Sequence, residues 1–475
     1  MKHGSAKGCR LLVREIEPCG TAVEVFNRFS AYGRAFFLDS GIRSVRIGRY
    51  SYLGCEPFQV LASHGKRIDV VSNGTHRVEH DNPFHALRLE LNRIRVDPHP
   101  DLPFSCGAVG FLGYGLGSHL ERLPRTTLDD IGFPDMEFGF YDRIVAFDHE
   151  AGRVWTSAAE LPGVSGSCEE KIEDLLSKLS GAELPAETGP ATRAGIRCNF
   201  TRGEYLRAVQ TAKDYVAAGD IFQVNLSQRF QTRLAVSPAE LYRRLRSINP
   251  APYAAYLDCD GHAVVSASPE LFLRVHGRRV ETRPIKGTRP RGSRAEEDER
   301  LRAELLASDK DAAELAMIVD LERNDLGRVC SYGTVRVSEP RVLECYPTVW
   351  HGVATVEGTL HDPYDRIDLL KATFPGGSVT GAPKIRAMEI IDELEPTSRS
   401  VYTGSIGSIG FDGGMNLNIA IRTFLVRGKD AFFQVGGGIV ADSGTADEYD
   451  ETLHKARALI ESLGASVSDL NHRAQ

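Results

Sequence analysis

The spacing of apolar and polar residues divides the chain before any motif does. From Leu11 to about Phe147, short apolar segments alternate with Gly, Pro, Asn and Asp, as in RAFFLDSG, SYLGCEPFQVLA and GAVGFLGYG. Runs of that length between turn formers predict sheet-rich structure. Near Glu160 the texture changes to ELPGVSGS, then the charged amphipathic stretch EEKIEDLLSKL, then GAELPAETGPATRAG. This punctuation predicts a linker with a short helix over 161–195, between an N-terminal region, 1–160, and a second region, 196–467, with a tail over 468–475.

The second region opens with a helix. Thr201 and Glu204 have capping-box spacing, and Tyr205, Ala208, Val209, Ala212 and Val216 follow at helical intervals. Next, IFQVNLSQRF alternates, with Phe222, Val224, Leu226 and Phe230 on one face and Gln223, Asn225, Ser227 and Arg229 on the other, which predicts a half-buried strand. Two more capping boxes, Ser308 with Asp311 and Thr445 with Glu448, predict helices rich in acids.

Composition narrows the class of protein. The 475 residues exceed one ordinary hydrophobic core, so two domains or one large interleaved body are expected. A net charge of -7, from 57 basic and 64 acidic side chains, argues against a general nucleic-acid or anionic-membrane binder. Nine scattered cysteines without a CxxC pair, and no apolar run of membrane length, lead to the expectation of a cytoplasmic protein with reduced thiols.

Several constellations carry chemistry. Glu448, Glu451 and Lys455 form one helical stripe, away from the apolar stripe of Tyr449, Leu453, Ala456, Ile460 and Leu463, so a solvated face with an i,i+4 ion pair accounts for them. Glu314 falls among Met317, Ile318 and Leu321, where an unpaired carboxylate is costly. Its partner is an arginine, or else a hard cation gathered with Asp311 and acids of another helix; magnesium suits so few protein carboxylates. Gly436, Gly437 and Gly438 allow either an anion-holding backbone or a hairpin turn. Lys286 stands in VETRPIKGTRPRGS, a loop crowded with arginines. Neighbouring positive charge and burial favour a neutral, nucleophilic lysine, and a solvated loop needs neither.

SASPELFL, PIKGTRPRG, AELAMIVDLERNDLGRV, FPGGSVTGAPKIRAMEII, YTGSIG, NIAIRTF, VGGGIVADS and DEYDETLHKARA stand in that order between Phe200 and Leu463. Together they resemble the chorismate-utilising enzymes, on the branch of the large subunits of aminodeoxychorismate and anthranilate synthases. FFLDSG and GRYSYLGCEP resemble the N-terminal region that both subunits share. The resemblance implies an α+β fold, an α/β sandwich of two large antiparallel sheets with outer helices, in which N- and C-terminal parts interleave.

It also implies roles. Glu314 and Glu451 would hold Mg2+, supported by Asp311 and Glu448. Arg422, Tyr402 and the N–H groups of Gly436, Gly437 and Gly438 would receive the enolpyruvyl carboxylate. Gly287 and Thr288 would line the ring, Ser378 and Lys455 would fix carboxylates, Glu270 would protonate the departing C4 hydroxyl, and His351 is a site histidine. Most anthranilate synthases of this type carry alanine where this chain has Lys286. With lysine there, its amine would attack ring C2 and ammonia would then add at C4, giving 4-amino-4-deoxychorismate, precursor of 4-aminobenzoate and folate. The sequence shows no glutaminase signature, so ammonia is expected from a separate glutamine amidotransferase subunit in a heterodimer. Ser40, Ile47, Gly48, Arg49, Tyr50, Pro252, Tyr253 and Ala254 match the family's tryptophan effector pocket, or are ordinary inter-sheet packing; NPAPYAAYL departs from the bulkier NPSPYMFF of anthranilate synthases. Anthranilate synthesis is the alternative activity. A non-catalytic scaffold binding tryptophan or a partner fits less well.

Overall fold

The computed structural model describes residues 9–42 and 47–471; residues 1–8 and the last four residues of the expected tail lie outside the described residues. Among the described residues, thirteen strands form one sheet and twelve form a second. Pairing is antiparallel throughout both sheets except where Ile196–Cys198 runs parallel to Leu470–Asn471, part of the segment expected as a tail.

The two sequence regions share both sheets. In the larger sheet Phe36–Asp39 pairs with Tyr253–Asp258, and in the smaller Gly107–Leu112 pairs with Ser405–Gly410. Each seam is a backbone ladder, so the regions interleave. The amphipathic stretch of the expected linker is a helix, Cys168–Leu179, packed on the strand Arg153–Glu160 and anchored there by the buried Lys171, whose amine donates to the Ala159 carbonyl at 2.8 Å.

Four layers follow from where the apolar residues point. Phe36, Tyr52, Ile144, Val264 and Leu425 of the larger sheet meet Val109, Phe111 and Ile406 of the smaller one in the inner core. The larger sheet's other face packs under helices through Phe26, Tyr205, Tyr242, Ile390 and Leu459, and the smaller sheet's through Leu87, Leu315 and Leu369. Burying each such side chain contributes about 1.5–3 kcal/mol.

A sheet covered on both faces has no solvated side. The strand expected to be half-buried, Gln223–Arg233, is therefore buried on both faces from Gln223 to Phe230. Its polar side chains are held inside: Ser227 donates to Glu395 at 2.6 Å, and Arg229 pairs with Asp130 at 2.6 Å. Phe222, expected on the apolar face, precedes the strand and is 71% exposed.

The Thr201 capping box forms as expected, with Thr201 accepting from the Glu204 N–H at 3.2 Å and donating its own N–H to the Glu204 carboxylate at 2.7 Å. The Thr445 box does not form: Gly444 is the N-cap of Thr445–Ser462, and Glu448 instead accepts from the Ser443 hydroxyl at 2.6 Å. At Ser308 the hydroxyl caps the Asp311 N–H at 3.2 Å, while the Asp311 carboxylate turns toward Arg289, 3.3 Å away.

Candidate active site

Lys286 lies on the edge strand Ile285–Pro290 of the smaller sheet, where the register against Val349–Thr359 shifts between Ile285 and Thr288. Gly287 in this irregularity has φ +84°, and a Cβ there would stand 3.0 Å from Asp311, so glycine is required on both counts. The lysine reaches across to the larger sheet. A Cβ on Gly438 would sit 2.8 Å from its amine, which lies 3.0 Å from the Glu314 carboxylate. Both side chains are 15% exposed.

The arginines near Lys286 in sequence do not supply free positive charge beside it. Arg283 pairs with Glu344 at 2.6 Å, Arg289 with Glu304 at 2.9 Å and Arg291 with Asp298 at 2.7 Å. The protein side chain that pairs with Glu314 is thus Lys286, not an arginine.

The triglycine forms no turn. Gly436, Gly437 and Gly438 belong to the strand Asp430–Ile439, paired with Ser227, Leu226 and Asn225. On its other edge this strand pairs with Thr423–Arg427 only as far as Phe433, so the triglycine lies beyond that ladder. A Cβ on Gly437 would stand 3.1 Å from Glu448 and 3.6 Å from Glu451, so the missing side chain leaves room beside two carboxylates.

Glu448 is buried, against the expectation of a solvated stripe, and burial raises its carboxyl above the usual range. Glu451 and Lys455 form the expected ion pair at 2.7 Å, which holds Glu451 below that range, while the Lys455 amine also donates to the Gly436 carbonyl at 2.8 Å. Lys310, 3.9 Å from Glu314, also acts on Glu448 and Glu451, so the helices Asp309–Gly327 and Thr445–Ser462 present their acids to one region. Carboxylate oxygens with space beside them fit a hard divalent cation.

A second group faces Lys286. Glu270 is buried between two strands and accepts from the Ser378 hydroxyl at 2.6 Å. Burial pushes its carboxyl up to about 7, against the opposing pull of Ser378, the Ile285 N–H, Lys286 and Arg422. Arg422 has φ +52°, costly for a residue with a side chain and a sign of local constraint. Burial lowers its guanidinium, and among the described residues no carboxylate lies within ion-pairing distance of it. A half-hidden arginine without a counterion is prepared for an anionic ligand.

His351 stands opposite Thr288 and contacts its hydroxyl through Nδ1 at 2.9 Å. Burial, and then the charge of Arg422, push the imidazole down to about 3, so it is neutral at pH 7; its Nε2 is buried without a hydrogen-bond partner. Tyr402 is buried with its ring 5.7 Å from the Arg399 guanidinium, and its polar neighbours are Arg399 and Glu395.

Two neighbours escaped sequence reasoning. Gln223, whose amide has no partner, lies 3.0 Å from where a Gly438 Cβ would be. Glu322 accepts the Gly377 N–H at 3.2 Å, next to Ser378, and burial together with Asp325 raises it to about 8. The polar alternation marked Gln223 but suggested solvent; nothing marked Glu322.

Of the residues expected around an effector, Ser40, Tyr50, Pro252, Tyr253 and Ala254 line a cavity of about 40 Å3, on the scale of one or two waters. Ile47 packs with Ile42 and Tyr346, Gly48 has φ +83° beside the Ile42 carbonyl, and Arg49 pairs with Asp148 at 2.8 Å.

The profile of the chorismate binding enzyme family matches residues 46–461. Aminodeoxychorismate synthase component 1 of Bacillus subtilis (strain 168) is 41% identical over 441 residues, 91% of this chain and 93% of that protein. Anthranilate synthase component 1 of Thermus thermophilus is 44% identical over 454 residues, 95% of this chain and 96% of that protein. Among solved structures, anthranilate synthase component I of Streptococcus pneumoniae TIGR4 matches with TM-score 0.76 and 35% identity, over 88% of this chain and 93% of that one. Relatives of both names therefore stand at similar distances.

Proposed function

The chain belongs to the chorismate binding enzyme family, and from that premise we propose that it aminates chorismate at ring C4, giving 4-amino-4-deoxychorismate with ammonia from a glutamine amidotransferase subunit. The observation that carries this choice is the Lys286 amine, stretched between the sheets to Glu314 and Gly438.

Arg422, without a counterion, binds a substrate carboxylate through its planar fork. Glu270, poised near 7, gives its proton to the C4 hydroxyl, which departs as water while the Lys286 amine bonds to C2. Lys286 loses a proton in forming that bond. Ammonia then bonds to C4, the C2–N bond breaks, and the lysine amine is regenerated. The balance is chorismate plus ammonia to 4-amino-4-deoxychorismate plus water. Ser378 orients Glu270, and the neutral His351 holds Thr288 beside the ring.

Magnesium would be held by Glu314 and Glu451, with Asp311 and Glu448 behind them, and would supply positive charge for the second carboxylate of chorismate. Glu314 is shared between two duties. The same carboxylate lies 3.0 Å from the Lys286 amine, so the lysine and a magnesium ion would share it. Cys55, Cys106, Cys168, Cys198, Cys259 and Cys330 are buried thiols rather than disulfides, which fits a reducing cytoplasm.

Anthranilate synthesis remains the competing reading, and Lys286 is the feature that opposes it. The test incubates the purified chain with chorismate, Mg2+ and an ammonium salt and identifies products by liquid chromatography with mass detection. Aminodeoxychorismate without pyruvate is expected, and Lys286→Ala should abolish or divert it. Anthranilate with pyruvate from the unaltered chain would overturn the proposal.

A further inference from the structure

A Cys-x-x-His hairpin lies away from the candidate active site. Cys259 follows the strand Tyr253–Asp258, and His262 begins the strand His262–Ser268. Between them Asp260 and Gly261 both have positive φ, +57° and +98°, and the Cys259 N–H donates to the His262 carbonyl at 2.9 Å. Such a tight hairpin turn fixes both side chains on one short segment.

Opposite it stands Glu137, from the strand Met136–Tyr141 of the other sheet. That strand is seven places from the Lys286 strand in sheet order. The thiol of Cys259, a ring nitrogen of His262 and a carboxylate oxygen of Glu137 all lie within 4.8 Å of one another; Cys259 and Glu137 are buried.

An ion triad is the simplest account of these side chains, since Arg34 donates to one Glu137 oxygen at 2.6 Å. It leaves one feature unexplained. His262 Nε2 and the other Glu137 oxygen are 3.0 Å apart, yet the geometry between them is not that of a directed hydrogen bond. Two ligand atoms directed at a common third point have this relation, and the edge between N and O in a tetrahedral zinc site is about 3.3 Å.

We propose that Cys259, His262 and Glu137 bind one zinc ion that fastens the two sheets together. One sulfur, one nitrogen and one oxygen donor suit zinc better than magnesium or calcium. Thiolate and carboxylate neutralise the dication, which leaves room for Arg34 as the outer partner that orients Glu137. Binding forms three bonds from protein to metal, releases the thiol proton to solvent and takes the imidazole in its neutral form. A water would complete the tetrahedron at the fourth position.

Cobalt(II) reports on such a site directly. The full chain, stripped with a chelator, is titrated with Co2+ and followed by absorption. The expected result is a cobalt–thiolate band in the near ultraviolet that saturates at one equivalent, with loss of the band on adding Zn2+. Cys259→Ser should abolish the band, and His262→Gln should weaken binding by at least about tenfold. The active-site acids include no thiol, so metal bound there gives no such band. Absence of the band in the unaltered chain, or its survival in Cys259→Ser, would overturn the proposal. If Cys259→Ser fails to fold by circular dichroism, the unaltered chain and His262→Gln decide the matter.

Discussion

Lys286, Glu270 and Arg422 each depart from what their residue type does at a surface, and the departures are measurable. Glu270 acts as an acid only while it holds its proton, and burial places that transition near 7. At constant free ammonia the ratio of the unaltered chain's rate to that of Glu270→Gln should therefore be flat at lower pH and fall about tenfold per pH unit above the transition. Glu270→Gln should lower kcat by roughly 10²–10⁴; a pH–rate profile without that alkaline fall would remove Glu270 from the role. Arg422 has no protein carboxylate to lose, so Arg422→Gln should chiefly raise KM for chorismate, by about ten- to hundredfold for one charge-assisted contact. An unchanged KM in steady-state assays would show that the carboxylate sits elsewhere.

Among the elements, the strand Asp430–Ile439 sets the distance between the lysine and the acids. Gly438→Ala would put a methyl group 2.8 Å from the Lys286 amine and 3.0 Å from Gln223. Displacing the amine by even an ångström costs about 10²-fold in rate, whereas folding, read by circular dichroism, should persist. Full activity in Gly438→Ala would mean that Lys286 is not held where it reacts. The helix Arg202–Ala217 offers a purely structural comparison: Thr201→Ala removes the hydroxyl that accepts the Glu204 N–H, keeps the backbone N–H bond to Glu204, and should cost about 1 kcal/mol, read as a lower urea midpoint with turnover unaltered. Local signals of this kind were legible because they need only neighbours in sequence. Ser308, Thr201 and Thr445 announced their helices, but the box at Thr445 does not form because Ser443, two residues earlier, holds Glu448 instead.

For the whole molecule, stability should depend on pH through groups that burial keeps in one form. His351 is pushed to about 3, so between that value and the usual histidine range near 6.5 the unfolded chain takes up a proton that the folded chain excludes. Stability from this source is complete above about 6.5 and falls as pH drops through the window. His351→Gln should lose less stability between pH 7 and 4 than the unaltered chain in urea titrations; an equal loss would assign acid sensitivity to other groups. No helix among the described residues is long and apolar enough to cross a membrane.

The sequence by itself determined what depends on order along the chain: the sheet-rich first region, the Thr201 helix and the succession of motifs that carries the family resemblance. Tertiary structure decided what depends on neighbours across space. It put solvent-like residues such as Gln223 inside, because the sheet that carries them is covered on both faces. It gave Glu314 a lysine for a partner, and gave the arginines around that lysine acids of their own. Periodicity records which residues share a face of one element, but it carries no record of which element, from hundreds of residues away, will cover that face.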